Sequence, residues 1–77
     1  MAVIQMPDPQ RDLASVLERN PGAITAQELA RILGFGRTAI YEMAASGRIP
    51  HLRIGSSIRF DPYAVAQWLR EHTVEAA

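Results

Sequence analysis

At 77 residues, with 48% apolar and 21% charged side chains, the chain has room for one globular domain and none of the marks of a disordered one. It has no cysteine and only two histidines, His51 and His72, so a disulfide framework and a thiolate metal site are excluded and a histidine site would need carboxylate help. Net charge is zero but unevenly spread: residues 31–59 hold five arginines against Glu42 (+4), the remainder three arginines against seven acids (−4), and there is no lysine.

The opening MAVIQMPDPQ has neither the basic region nor the apolar run of a signal peptide. No apolar stretch is long enough to span a bilayer, so a cytoplasmic protein without membrane contact is expected. Residues 1–7 read as a loose arm. Asp8-Pro9 then resembles an N-cap followed by proline at the first helical position, opening a helix over 8–19 whose stripe is Leu13, Val16 and Leu17. Asn20-Pro21-Gly22 stops it.

Thr25 and Glu28 have the spacing of a capping box, with Ile24 and Leu29 placed for a hydrophobic staple. Leu29, Ile32 and Leu33 continue the stripe to Gly34, which ends the helix. Only Gly34-Phe35-Gly36 separates it from a second helix, whose inward face is Ile40, Met43 and Ala44 and which Gly47 closes. Two short helices across a glycine-containing turn predict a helix-turn-helix over 25–46.

After Pro50 the period changes to two. Leu52, Ile54, Ile58 and Phe60 alternate with His51, Arg53 and Arg59 around Gly55-Ser56-Ser57, a hairpin over 51–60. Read with a three-residue loop, it sets Ile54 against Ile58, Arg53 against Arg59 and Leu52 against Phe60, giving one apolar face and one arginine face. Asp61-Pro62 starts a last helix over 62–72 with Val65, Trp68, Leu69 and His72 on one stripe, Trp68 being its largest core anchor; residues 73–77 form a tail. The fold class is therefore mainly α with a small β-hairpin, a winged helix-turn-helix, with 8–72 as its single domain.

With its apolar stripe turned inward, the second helix of the pair presents Arg37, Thr38, Tyr41, Glu42 and Ala45, with Gly36 at its cap. A helix start offers free amides to phosphate, and DNA-binding helices enter the major groove by that end. Arg37 can fork onto guanine or phosphate, Thr38 can meet a thymine methyl, and Tyr41 suits a backbone phosphate. Glu42 can accept from a cytosine amino group or orient a neighbouring arginine; the latter, or simple solvation, is the expected role. The plain alternative for all five is a solvated helix face. Facing arginines on the hairpin repel each other by some tenths of a kcal/mol, a cost that a polyanion removes, so Arg53 and Arg59 are expected to lie along a phosphate backbone or minor groove. Arg48 adds a flanking contact, His51 serves as a spacer, and His72 caps the last helix. No catalytic constellation, metal site or cofactor motif stands out, so no enzyme activity is expected.

The segment ITAQELARILGFGRTAIYEMAASGRIPHLRIGSSIRFDPYAVAQWLREH resembles the excisionase-type, MerR-like winged-helix DNA-binding domains. The resemblance runs through Thr25, Leu33-Gly34, Arg37, Ile40-Tyr41, Ser46-Gly47-Arg48-Ile49-Pro50, Arg53-Ile54-Gly55, Ile58-Arg59-Phe60 and Trp68-Leu69. It implies sequence-specific binding of double-stranded DNA, with the second helix in the major groove and the wing (Arg48, Arg53, Ser56, Ser57, Arg59) at the minor groove or backbone. It further implies an excisionase that assembles side by side on repeated sites, bends DNA and directs an integrase toward excision. Gly36 departs from the usual serine-like cap, and Ser56-Ser57 from a wing tip that is often basic. A small transcriptional regulator using the same surface is the first alternative. A protein-interaction module working through the first helix and tail is the second.

Overall fold

Side-chain caps decide where three of the four helices among the described residues begin. In the computed structural model, which describes residues 12–74, the elements are α1 (Leu13–Glu18), α2 (Ala26–Leu33), α3 (Arg37–Ala45), β1 (Leu52–Ile54), β2 (Ser57–Arg59) and α4 (Pro62–Glu71). This is a mainly helical chain with one antiparallel hairpin, a winged helix-turn-helix. The arm over 1–7, the Asp8-Pro9 start and residues 75–77 lie outside the described residues.

The first helix is shorter than the expected 8–19. Asp12 is extended (φ −70°, ψ 161°) and its Oδ1 accepts the Ser15 N–H at 2.8 Å, so the helix starts at Leu13. The buried stripe also differs from the expected one: Ala14 and Leu17 are buried, Val16 is half-buried, and Leu13 is exposed. The Asn20 amide closes this end by donating to the carbonyls of Val16 and Leu17.

The capping box forms in α2, where Thr25 Oγ1 accepts the Glu28 N–H at 3.1 Å and Glu28 reaches back to the Thr25 N–H at 3.4 Å. Gly34 terminates α2 at φ +75°, a conformation that costs most side chains steric strain. The end of α3 is a Schellman turn: Gly47 N–H bonds Ala44 O at 3.1 Å and Arg48 N–H bonds Met43 O at 2.8 Å.

The core joins all four helices and the wing. Leu17, Leu29, Ile40, Phe60 and Val65 are the largest fully buried side chains, and alanines at 14, 26, 30, 44 and 66 let the helices approach closely. Phe60, not Trp68, is therefore the central anchor. Phe60 has no polar atom to satisfy, whereas the half-buried Trp68 sits at the edge and donates its indole N–H to Arg48 O at 2.7 Å. Ile24 and Phe60 exchange two backbone hydrogen bonds of 2.9 Å, pinning the base of the wing to the entry of α2. α1 packs on α4, where Glu18 and Arg70 form an ion pair.

The hairpin register differs from the expected one by a single residue. Leu52 faces Arg59, Arg53 faces Ile58 and Ile54 faces Ser57, around a two-residue loop, Gly55-Ser56. Gly55 is at φ +61° while Ser56 is not at positive φ, the sign pattern of a type II′ turn. That tight turn draws Ser57 into the ladder and shifts every pairing. Because side chains alternate, Arg53 and Ile58 now share one face, and Leu52, Ile54, Ser57 and Arg59 share the other. The expected separation into an apolar face and an arginine face does not occur.

Candidate nucleic-acid interface

α3 is held by its inner stripe, Ile40 and Ala44 fully buried and Ala39 and Met43 half-buried. Its other side carries Arg37, Thr38, Tyr41, Glu42 and Ala45, all exposed and following one helical face. Gly36 is the N-cap, extended at φ −73° and ψ 151°, and provides no side-chain hydrogen bond to the first turn. The helix start is therefore open, with its amides unshielded by a capping side chain. Phe35, in the turn before it, is 52% exposed.

The connection from α3 to the wing is braced. Arg48 Nε donates to Ser46 Oγ at 2.8 Å, and that hydroxyl donates in turn to Glu42 O at 2.9 Å. With Trp68 Nε1 on the Arg48 carbonyl, α4 grips the hinge between helix and wing. His51 Nδ1 lies 3.0 Å from Ile49 O, in keeping with a local spacer. His72 Nδ1 lies 2.7 Å from Trp68 O and its ring is 4.4 Å from the indole, so it closes α4 as a cap.

On the wing, Arg53 is exposed beside Ile58. Arg59 is half-buried and donates from Nη1 to Ile58 O at 2.9 Å, using one of its five N–H groups. The two arginines leave opposite faces of the ribbon, so the repulsion expected between them is absent. Ser56 is in the turn; Ser57 is in the strand rather than at the tip. Among the described residues none of Arg31, Arg37, Arg48, Arg53 and Arg59 is paired with a carboxylate, and the Glu42 carboxylate orients no arginine. The surface thus keeps five uncompensated guanidinium groups in one stretch of chain.

Two side chains at the wing were not among the expected site residues. Leu52 (42%) and Ile54 (65%) are exposed on the ribbon face that carries Arg59. The three-residue loop would have turned them to the core. The signal that finds them is Gly55 followed by a small residue, the pattern of a two-residue II′ turn.

Among the described residues no group of histidines, aspartates and glutamates is placed to hold a metal ion. Among them, too, no helix is long and apolar enough to cross a membrane. Residues 23–73, about two-thirds of the chain, match the family described as "Helix-turn-helix domain". No curated protein and no solved structure matches the chain.

Proposed function

The chain belongs to the helix-turn-helix domain family, a family of sequence-specific DNA-binding domains, and from that premise we propose that it is an architectural protein of the excisionase type. In this reading α3 enters the major groove with Arg37 and Thr38 toward the bases and Tyr41 on a phosphate, while Glu42 stays solvated. Arg48 and the wing engage the flanking backbone and minor groove. An arginine on each face of a narrow ribbon suits a groove with phosphate walls on both sides better than one flat backbone. A single recognition helix covers few base pairs, so several copies occupy adjacent repeated sites. Their assembly bends the DNA and places an integrase for excision. The chain itself performs no chemistry, needs no cofactor and works inside the cell.

The observation that carries this reading is the exposed 37/38/41/42/45 face of α3, together with Arg48, Arg53 and Arg59, which pair with no carboxylate among the described residues. Footprinting on the DNA flanking the protein's own gene tests it. Several phased sites beside an attachment site, with excision stimulated in an assay containing the integrase, are expected. One site over a promoter, with excision unchanged, would make the protein a transcriptional regulator. Protection without sequence preference would refute the specific-DNA reading altogether.

A further inference from the structure

We propose that Ile54 is a wedge that enters the minor groove and partly unstacks one base step, so that the wing kinks the duplex it binds. The inference rests on the DNA-binding reading above and adds to it a residue, a ligand feature and a mechanical consequence.

Position comes first. β1 ends at Ile54, and the turn beyond it carries only the hydrogen of Gly55 and the hydroxymethyl of Ser56. Ile54 is therefore the foremost bulky side chain of the wing, and it is 65% exposed. Its cross-strand partner is Ser57, too small to cover it. The core is complete without it: Phe60 is fully buried and Ile58 packs against that core, while Ile54 is exposed on the opposite face of the ribbon.

Charge and shape then select the ligand. Residues 43–60 contain Arg48, Arg53 and Arg59 and no acid, so this apolar tip is carried on a purely cationic ribbon. A duplex is the complement of that pattern, a polyanionic rim around an apolar stack of bases. The II′-sense turn keeps the tip narrow, as a groove about 6 Å wide requires. Branched aliphatic side chains inserted from the minor groove open base steps and bend DNA toward the major groove, most cheaply at pyrimidine–purine steps. Leu52, one pleat back on the same face, lines a cleft with Ala23, Pro62 and Tyr63 and leaves Ile54 as the inserting side chain, and Arg53 and Arg59 meet the two walls.

The test uses the full chain and duplexes enriched by it from a randomised pool. Bend is read by energy transfer between end labels, and unstacking by 2-aminopurine fluorescence at the step under the wing. Wild type is expected to bend the duplex and brighten the probe. Ile54→Ala keeps the selected sequence and the salt slope, loses the bend and the brightening, and binds about ten- to a hundredfold more weakly, the order for losing one buried aliphatic contact. Ile54→Leu restores both signals. Far-UV circular dichroism confirms that each variant folds, as expected for an exposed position. A bend unchanged in Ile54→Ala, or no brightening with wild type, overturns the wedge and leaves specific DNA binding standing. Failure of wild type to enrich any sequence overturns the DNA-binding reading and the wedge with it.

Discussion

The one-residue register of the wing can be tested by covalent chemistry, because the chain has no cysteine to compete. Leu52 and Arg59 face each other across the ladder, so their Cα atoms lie about 5.5 Å apart, within the range that a disulfide spans. The double substitution Leu52→Cys, Arg59→Cys should therefore oxidise within one molecule. The bridge closes a loop of eight residues, 52–59, which the chain-entropy relation values at about 2.5 kcal/mol. For a domain this small, that corresponds to a rise in Tm of roughly 10–20 °C between reduced and oxidised protein, less any strain. Loss of Leu52 subtracts little because it is 42% exposed and outside the core. The contrasting pair is Arg53→Cys, Arg59→Cys, which a three-residue loop would set face to face. In the observed register these side chains leave opposite faces, and no intramolecular bridge should form. Free-thiol counting and non-reducing gels at low protein concentration read the outcome, and melting with and without reductant gives the energy. Ready oxidation of the 53/59 pair, with the 52/59 pair left reduced, would refute the register and restore the arginine-faced wing.

Thr25→Ala removes the acceptor of the Glu28 N–H and should cost about 1 kcal/mol, seen as a lower Tm. Trp68→Phe keeps an aromatic ring but leaves the Arg48 carbonyl without its indole donor, for a loss of about 1 kcal/mol by circular dichroism melting. Asp12 is held below the ordinary aspartate range by its side-chain hydrogen bond with Ser15, then by the Ser15 backbone N–H, with Arg70 and Arg19 assisting. Its contribution to stability is present above the unfolded-state pKa and is lost as pH falls through the lower folded-state pKa, so Asp12→Asn should flatten the acid limb of a Tm–pH curve; an acid limb of unchanged steepness would contradict this. Arg53→Ala, at a phosphate wall, should reduce the slope of log affinity against log salt by about 0.9, whereas Arg37→Ala, toward the bases, should cost about 1–3 kcal/mol and relax specificity, with the fold intact in both. An unchanged slope in the first and unchanged affinity in the second would move the DNA surface elsewhere and favour a protein-interaction role.

Most of the helical framework was legible because local chemistry and the global core agree. Thr25 and Glu28 announce α2, Asp61-Pro62 announces α4, and glycines at 34 and 47 occupy left-handed positions where the chain reverses. The exposed face of α3 was legible for the same reason: once Ile40 and Ala44 point inward, helical spacing leaves Arg37, Thr38 and Tyr41 outside. Three things were not. Asp8-Pro9 reads as the helix start in the sequence, whereas the side-chain cap and extended backbone at Asp12 place the start at Leu13. Trp68 and Phe60 are both large and aromatic, and which one fills the centre depends on a carbonyl twenty residues away that the indole can reach. The hairpin parity turned on whether Gly55-Ser56 or Gly55-Ser56-Ser57 forms the loop, and alternation of apolar residues is equally satisfied by either.

The parity matters beyond bookkeeping, because it changes what the wing can be. Facing arginines would have made a flat cationic plate, suited to one phosphate backbone. With the observed pairing the ribbon is a lever, anchored at its base through both strands and cationic on both sides. Its incoming strand is fixed where Trp68 holds the Arg48 carbonyl, and its outgoing strand where Phe60 exchanges backbone hydrogen bonds with Ile24. Both anchors connect to the helix-turn-helix pair: Arg48 ends the Schellman turn of α3, and Ile24 immediately precedes the cap of α2. The angle between wing and α3 is thus set by the Schellman turn, the Ile24–Phe60 backbone pair and the Trp68 indole on the Arg48 carbonyl. Such a rigid angle is what a protein needs if a helix in one groove and a ribbon in the next are to dictate the path of the DNA between them.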